Sequence, residues 1–165
     1  MNRTLWTLQI IWGFFFSVNG FGKIVWVNNA LWEQAQKQVP WFSAVGQDLL
    51  IFIGVCEFLG GIGLILPAMT GVKPKLTAFA GVGLTTVMVL AAAFHVVRGE
   101  YGFVIVNVGL GSVPAFIAYG RLVVRPIESA AINASRVMKA AAVFTVFLAL
   151  DLAPVLYRYR LTRSH

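Results

Sequence analysis

An all-α integral membrane protein, with four spanning helices and a candidate fifth near the C-terminus, is the fold class that three features predict. Apolar runs long enough to cross a hydrocarbon core follow one another, separated by basic or aromatic connections. Hydrophobic residues make up 59% of the 165, charged residues only 12%, and the mean hydropathy is +0.81. A soluble globule would have no way to hide that much apolar surface. The 16 glycines and 5 tryptophans suit close helix contacts and interfacial anchoring.

The first run, Leu5–Phe21, follows Arg3 and lacks a small-residue cleavage site, since Asn-Gly-Phe-Gly-Lys comes next. It reads as a retained first helix. The connection from Gly22 to Gln47 holds Trp26, Trp32 and Trp41 among Glu33, Lys37 and several amides. That mixture predicts an interfacial segment with a short helix around Ala30–Gln38, a membrane anchor in preference to a lid. The second run, Leu49–Leu66, is expected to end at Pro67, and the third, Lys75–Val97, opens just after Pro74. Pro114 interrupts the fourth, Gly102–Gly120, where a kink is expected. Asp151 and Pro154 weaken the fifth, Ala140–Tyr157, which either spans or lies partly in the interface. Residues 1–123 therefore read as a membrane bundle, and 124–165 as a loop, the candidate helix 140–157 and a basic tail.

The net charge of +7 resides in the gaps between runs. Charges so placed suit lipid head groups and topology, not nucleic-acid phosphates. With alternating spans, Arg3, Lys73, Lys75, Arg121, Arg125, Arg136 and Lys139 share one side. Lys23, Lys37 and Arg98 lie opposite, joined by Arg158, Arg160 and Arg163 if the fifth run crosses. The positive-inside rule then favours a cytoplasmic N-terminus. The single cysteine, Cys56, excludes an in-chain dithiol–disulfide cycle and reads as inert filler.

Glu57 is the residue that folding alone does not explain. It lies nine residues beyond Asp48, roughly 13 Å into its helix, where an ionisable group costs at least about 2.5–3.5 kcal/mol. Gly54 and Gly61, at i−3 and i+4, flank it and turn it toward a neighbouring helix. Asn19, Lys23, His95, Asn107 and Asp151 fall in the half of the membrane near the Gly22–Gln47 connection. Together with Glu57 they can line a polar vestibule. Each has a bland alternative. Lys23 snorkels to head groups or pairs with Glu57. His95 is wetted at the interface or serves a site. Asn19 and Asn107 bind a ligand or stitch helices together. With only His95 and His165 as histidines, no metal site is expected, and a haem is disfavoured as well.

Three strings, Asn19-Gly-Phe-Gly-Lys23, Glu57-Phe-Leu-Gly-Gly-Ile-Gly-Leu-Ile-Leu-Pro67 and Ala91-Ala-Ala-Phe-His95, resemble the DoxX and DoxX-like family over about residues 5–120. The resemblance implies a compact bundle of four transmembrane helices and puts the recurrent polar positions on Lys23, Glu57 and His95. The family takes its name from a subunit of a thiosulfate:quinone oxidoreductase, and other members look like redox partners or assembly factors. This chain departs from it by the candidate fifth helix and by lacking the cysteine pairs of disulfide-relay relatives. The expectation is a bacterial inner-membrane protein, the membrane subunit of a redox system binding a quinone or other apolar ligand near Glu57, with a redox enzyme partner or a homo-oligomer. One alternative is a non-catalytic scaffold or assembly factor. Another is an isomerase-type enzyme using Glu57 and His95 as acid and base, with Asn19, Lys23 and Asn107 as ligand contacts. A proton-coupled transporter fits the same residues, but no internal repeat supports it.

Overall fold

The structure is a computed structural model that describes residues 2–27, 32–131 and 133–163. Its helices are α1 (Asn2–Val27), α2 (Trp32–Gln38), α3 (Trp41–Val45), α4 (Gln47–Thr70), α5 (Lys75–Val97), α6 (Tyr101–Tyr119) and α7 (Ala134–Arg163). A π-helical turn, Gly120–Val124, continues α6. Four helices, α1, α4, α5 and α6 with its π turn, are long and apolar enough to cross a membrane.

Glycines set the helix contacts. A Cβ on Gly20 would lie 2.4 Å from Gly54 O, and one on Gly61 would lie 2.5 Å from Gly13 O. Gly13 and Gly20 on α1 therefore interlock with Gly61 and Gly54 on α4 in antiparallel register. Each pair of glycines is seven residues apart, two helical turns, so both pairs fall on one seam. Without a hydrophobic drive between helices in lipid, such backbone approach is what packing can exploit. Gly60 against Leu84 joins α4 to α5, and Gly81 against Pro114 O joins α5 to α6.

The centre of the bundle is filled by Phe16, Leu64, Ile65, Leu84, Met88 and Ile117. A smaller cluster, Val27, Ala35, Phe42 and Leu50, seats α2 and α3 on the bundle. Outward positions such as Phe52, Leu59, Leu90 and Ile105 are apolar and more than half exposed, as a lipid-facing surface requires.

Several boundaries differ from the sequence reading. The second run continues through Pro67 to Thr70. Thr70 Oγ1 bonds Leu66 O at 2.8 Å, Gly71 N bonds Pro67 O at 3.1 Å, and Gly71 at φ 74° ends the helix. The terminator is the left-handed glycine cap, not the proline. α6 runs on through Pro114 and stops at Arg125, because Pro126 excludes helical backbone from the residue before it. The short interfacial helix is α2, with residues 30 and 31 outside the described set.

The fifth run lies within α7, which starts where Asn133 Oδ1 accepts from Ser135 N at 2.9 Å and packs against α1 and α4. The side chain of Asp151 and residues 164–165 lie outside the described set.

Candidate functional site

One cavity of about 420 Å³ is lined by five of the six polar residues singled out from the sequence, Asn19, Lys23, Glu57, His95 and Asn107; the side chain of the sixth, Asp151, lies outside the described set. It lies where the C-terminal half of α1, the N-terminal half of α4 and the α5–α6 hairpin meet, with Trp41 and Val45 of α3 on its wall. The lining is mainly apolar, so the expected polar vestibule is instead a greasy chamber with a few convergent polar groups. Leu49, Phe52, Leu90 and Val106 line it and are at least half exposed. The chamber therefore reaches the lipid-facing surface.

Glu57 is 4% exposed and hydrogen-bonded through Oε2 to the Lys23 ammonium. The glycine seam makes that contact. With no side chain on Gly54, the Lys23 Cβ sits 3.1 Å from where one would be, which brings the lysine across to the acid one turn on. Lys23 thus pairs with Glu57 and does not snorkel. A partnered charge is the form in which an ion is tolerated at this depth.

His95 is 3% exposed, which sets aside the wetted-interface reading. Its Nδ1 lies 2.6 Å from Glu100 Oε2, while Arg98 Nε donates to Glu100 Oε1 at 2.9 Å. The hairpin turn builds this. Gly99 adopts φ 71°, which only glycine takes without strain, and Glu100 N bonds back to His95 O at 2.9 Å. Backbone and side chain of Glu100 so hold the same histidine.

An ionised carboxylate can only accept, so Nδ1 carries the proton. Nε2 then accepts from a ligand when the ring is neutral and donates when it is charged. Phe103 stacks on the imidazole at 4.9 Å, and Trp41 and Phe94 meet it edge-on at 5.6 and 5.2 Å. The ring is locked in orientation.

Glu57 and His95 share the chamber but are bonded to different partners, Lys23 and Glu100. Among the described residues no hydrogen bond joins them. The two asparagines do not stitch helices. Asn19 Nδ2 donates to Phe15 O at 2.7 Å and Asn107 Nδ2 to Phe103 O at 2.8 Å, each within its own helix. Cys56 is half-buried on the chamber wall, not deep filler.

Glu100 and Trp41 were not singled out by the sequence reading. A glycine just past an apolar run marks a helix C′ position, and the next residue then folds back on the last turn. That signal was available at Gly99.

Arg121, assigned above to a loop, is a second correction. It is 5% exposed in the π turn, donating to Gln9 Oε1 at 2.7 Å and Asn2 Oδ1 at 2.9 Å. It belongs to the bundle, so one charge leaves the loop count for the N-terminal side.

Glu100 lies between two spans. Its carboxylate is held below its ordinary value by the hydrogen bond from Arg98 and then by that from His95. A depressed acid contributes stability that is complete above its ordinary value of 4.5 and fades as pH falls through the lower folded value. The His95–Glu100 contact should therefore persist from neutral pH to about pH 5 and be lost only in stronger acid. Nitrogen chemical shifts of His95 check this. Glu100→Ala, which leaves Nδ1 without that acceptor, should release the fixed Nδ1 tautomer of the neutral ring.

Fold and site together define a multi-pass α-helical membrane protein whose buried charges face a lipid-accessible chamber. The chain matches the DoxX-like family over residues 7–117, well over half its length, and it belongs to that family. No curated protein and no solved structure matches it.

Proposed function

We propose that this DoxX-like protein is the membrane subunit of a redox system and binds a quinone, or a similar flat carbonyl-bearing apolar molecule, beside Glu57. The observation that carries the reading is the convergence of every singled-out polar side chain with described placement on one apolar chamber open to lipid. Its volume of about 420 Å³ lies within the ordinary range for small-molecule sites. The donor set fits such a ligand. A quinone presents two carbonyl acceptors on a flat ring, and the chamber offers Lys23 on α1 and, in its imidazolium form, His95 on α5 as donors from separate helices. Phe94, Phe103 and Trp41 supply aromatic surface for the ring, and the exposed opening near Leu90 and Val106 gives an isoprenoid tail a way into the bilayer.

When bound, a quinone supplies two-electron, two-proton chemistry, with electrons delivered by a redox partner protein. The chain's own residues would manage protons and position. His95 holds one at Nε2 while Glu100 fixes Nδ1, Lys23 donates at the other wall, and the apolar lining excludes water. Asn19 and Asn107 leave side-chain oxygens for polar substituents. The basic asymmetry of the loops supports a cytoplasmic N-terminus, and the resemblance to DoxX-like proteins supports a bacterial inner-membrane location.

The scaffold reading draws on one observation, the closed Lys23–Glu57 pair, and the two readings separate on binding. A decyl-substituted benzoquinone titrated into detergent-purified protein should bind, and His95→Leu should weaken it about tenfold, the worth of one buried hydrogen bond. Absence of binding, or identical affinity in His95→Leu, favours the scaffold.

A further inference from the structure

A second cleft, at the opposite end of the bundle, lies outside the reading above and does not depend on it. It has a volume of about 620 Å³ between α1, the end of α4, the segment 127–130 and the start of α7. One wall is apolar, with Trp6, Ile10 and Met69. The other carries Arg136 and Lys139, three residues apart and so on one face of α7.

The basic wall is held in place. Ala130 N bonds Gly71 O at 3.1 Å, and Gly71 has no side chain, which lets the Arg136 guanidinium lie across its backbone. Among the described residues neither Arg136 nor Lys139 has a carboxylate within ion-pair distance. Glu128 is the one acid lining the cleft.

Among the described side chains no other acid lies at this end. Of the six acids, Glu33, Asp48, Glu57 and Glu100 all lie toward the other end, around α2, the first half of α4 and the α5–α6 turn. Trp6 also faces the Arg121 guanidinium, 5.2 Å from the ring centroid. Among the described residues that buried cation bonds only neutral oxygens and keeps one nitrogen without a partner.

An amphipathic cleft of this kind, with cations along one wall and apolar side chains along the other at the end of a span, matches an anionic amphiphile. We propose that it binds the phosphate of an anionic glycerophospholipid, with Arg136 and Lys139 on the phosphate and Trp6, Ile10 and Met69 against an acyl chain. The lipid would pin α7 to the bundle.

Native mass spectrometry of the full chain, in detergent with equal phosphatidylglycerol and phosphatidylcholine, tests this. Wild type should retain phosphatidylglycerol preferentially. Arg136→Gln with Lys139→Gln should reduce that preference about tenfold or more, and Glu128→Gln, which removes the competing acid without touching the cations, should raise it. Equal retention of the two lipids by wild type overturns the proposal. So does a preference unchanged in both variants. Displacement of the lipid by millimolar inorganic phosphate overturns the lipid assignment in favour of a free-phosphate site.

Discussion

Glu57→Ala is expected to destabilise the protein by about 3–5 kcal/mol, because it leaves the Lys23 ammonium charged and nearly enclosed with nothing to pair with. Lys23→Met should cost a similar amount for the mirror-image reason. The pair is not, however, a net source of stability. Both charges must be taken out of water to form it, and replacement of a buried pair by apolar side chains of similar size is often neutral or stabilising. The double variant Lys23→Met, Glu57→Met should therefore regain most of the stability lost by either single one. Reversible unfolding in mixed micelles gives the three values. If each single change costs less than about 1 kcal/mol, the pair is solvated and the chamber is wetter than its lining implies. A rescued double variant that binds no quinone would show that the charges are retained for function.

The second large effect belongs to the α1–α4 seam. Gly20→Leu should cost about 3 kcal/mol, since even the first side-chain carbon would stand 2.4 Å from the backbone at Gly54 and Phe58. Backbone cannot turn aside as a flexible side chain does, so the helices must part. That movement would also pull Lys23, one turn on, away from Glu57. Gly22 is the control. A Cβ there meets nothing within 4 Å, and Gly22→Ala should be neutral or stabilising by about 0.5–1 kcal/mol. Unfolding curves of the two variants decide the matter, and equal effects would mean that the seam does not carry the helix contact.

Much of this was legible in the sequence because membrane helices advertise themselves by length and composition. The third helix opens at Lys75 as Pro74 predicts, and Glu57 stands out because no fold needs an acid at that depth. The seam was half legible. Gly54 and Gly61 mark one side, but their partners Gly13 and Gly20 have meaning only once the register of α1 against α4 is known.

The rest failed for physical reasons. Pro67 reads as a helix end, yet one missing N–H is tolerated when the next turn is closed by Thr70 and Gly71. Arg121 reads as a loop charge because a π turn, which rotates it inward, leaves no periodic trace. The partner of His95 was hidden in the same way, since a side chain five residues along reaches back only after the turn at Gly99 is folded.

A chamber that holds an apolar ligand should lose it when the chamber is filled. Ala91 lines the wall on α5, and Ala91→Trp puts an indole into the open volume. Native mass spectrometry with extraction of bound molecules should find one quinone-like ligand per chain on wild type and none on a variant that unfolds at the same temperature. A ligand retained equally by both proteins, or absent from wild type purified in mild detergent, would mean that the chamber is not a ligand site.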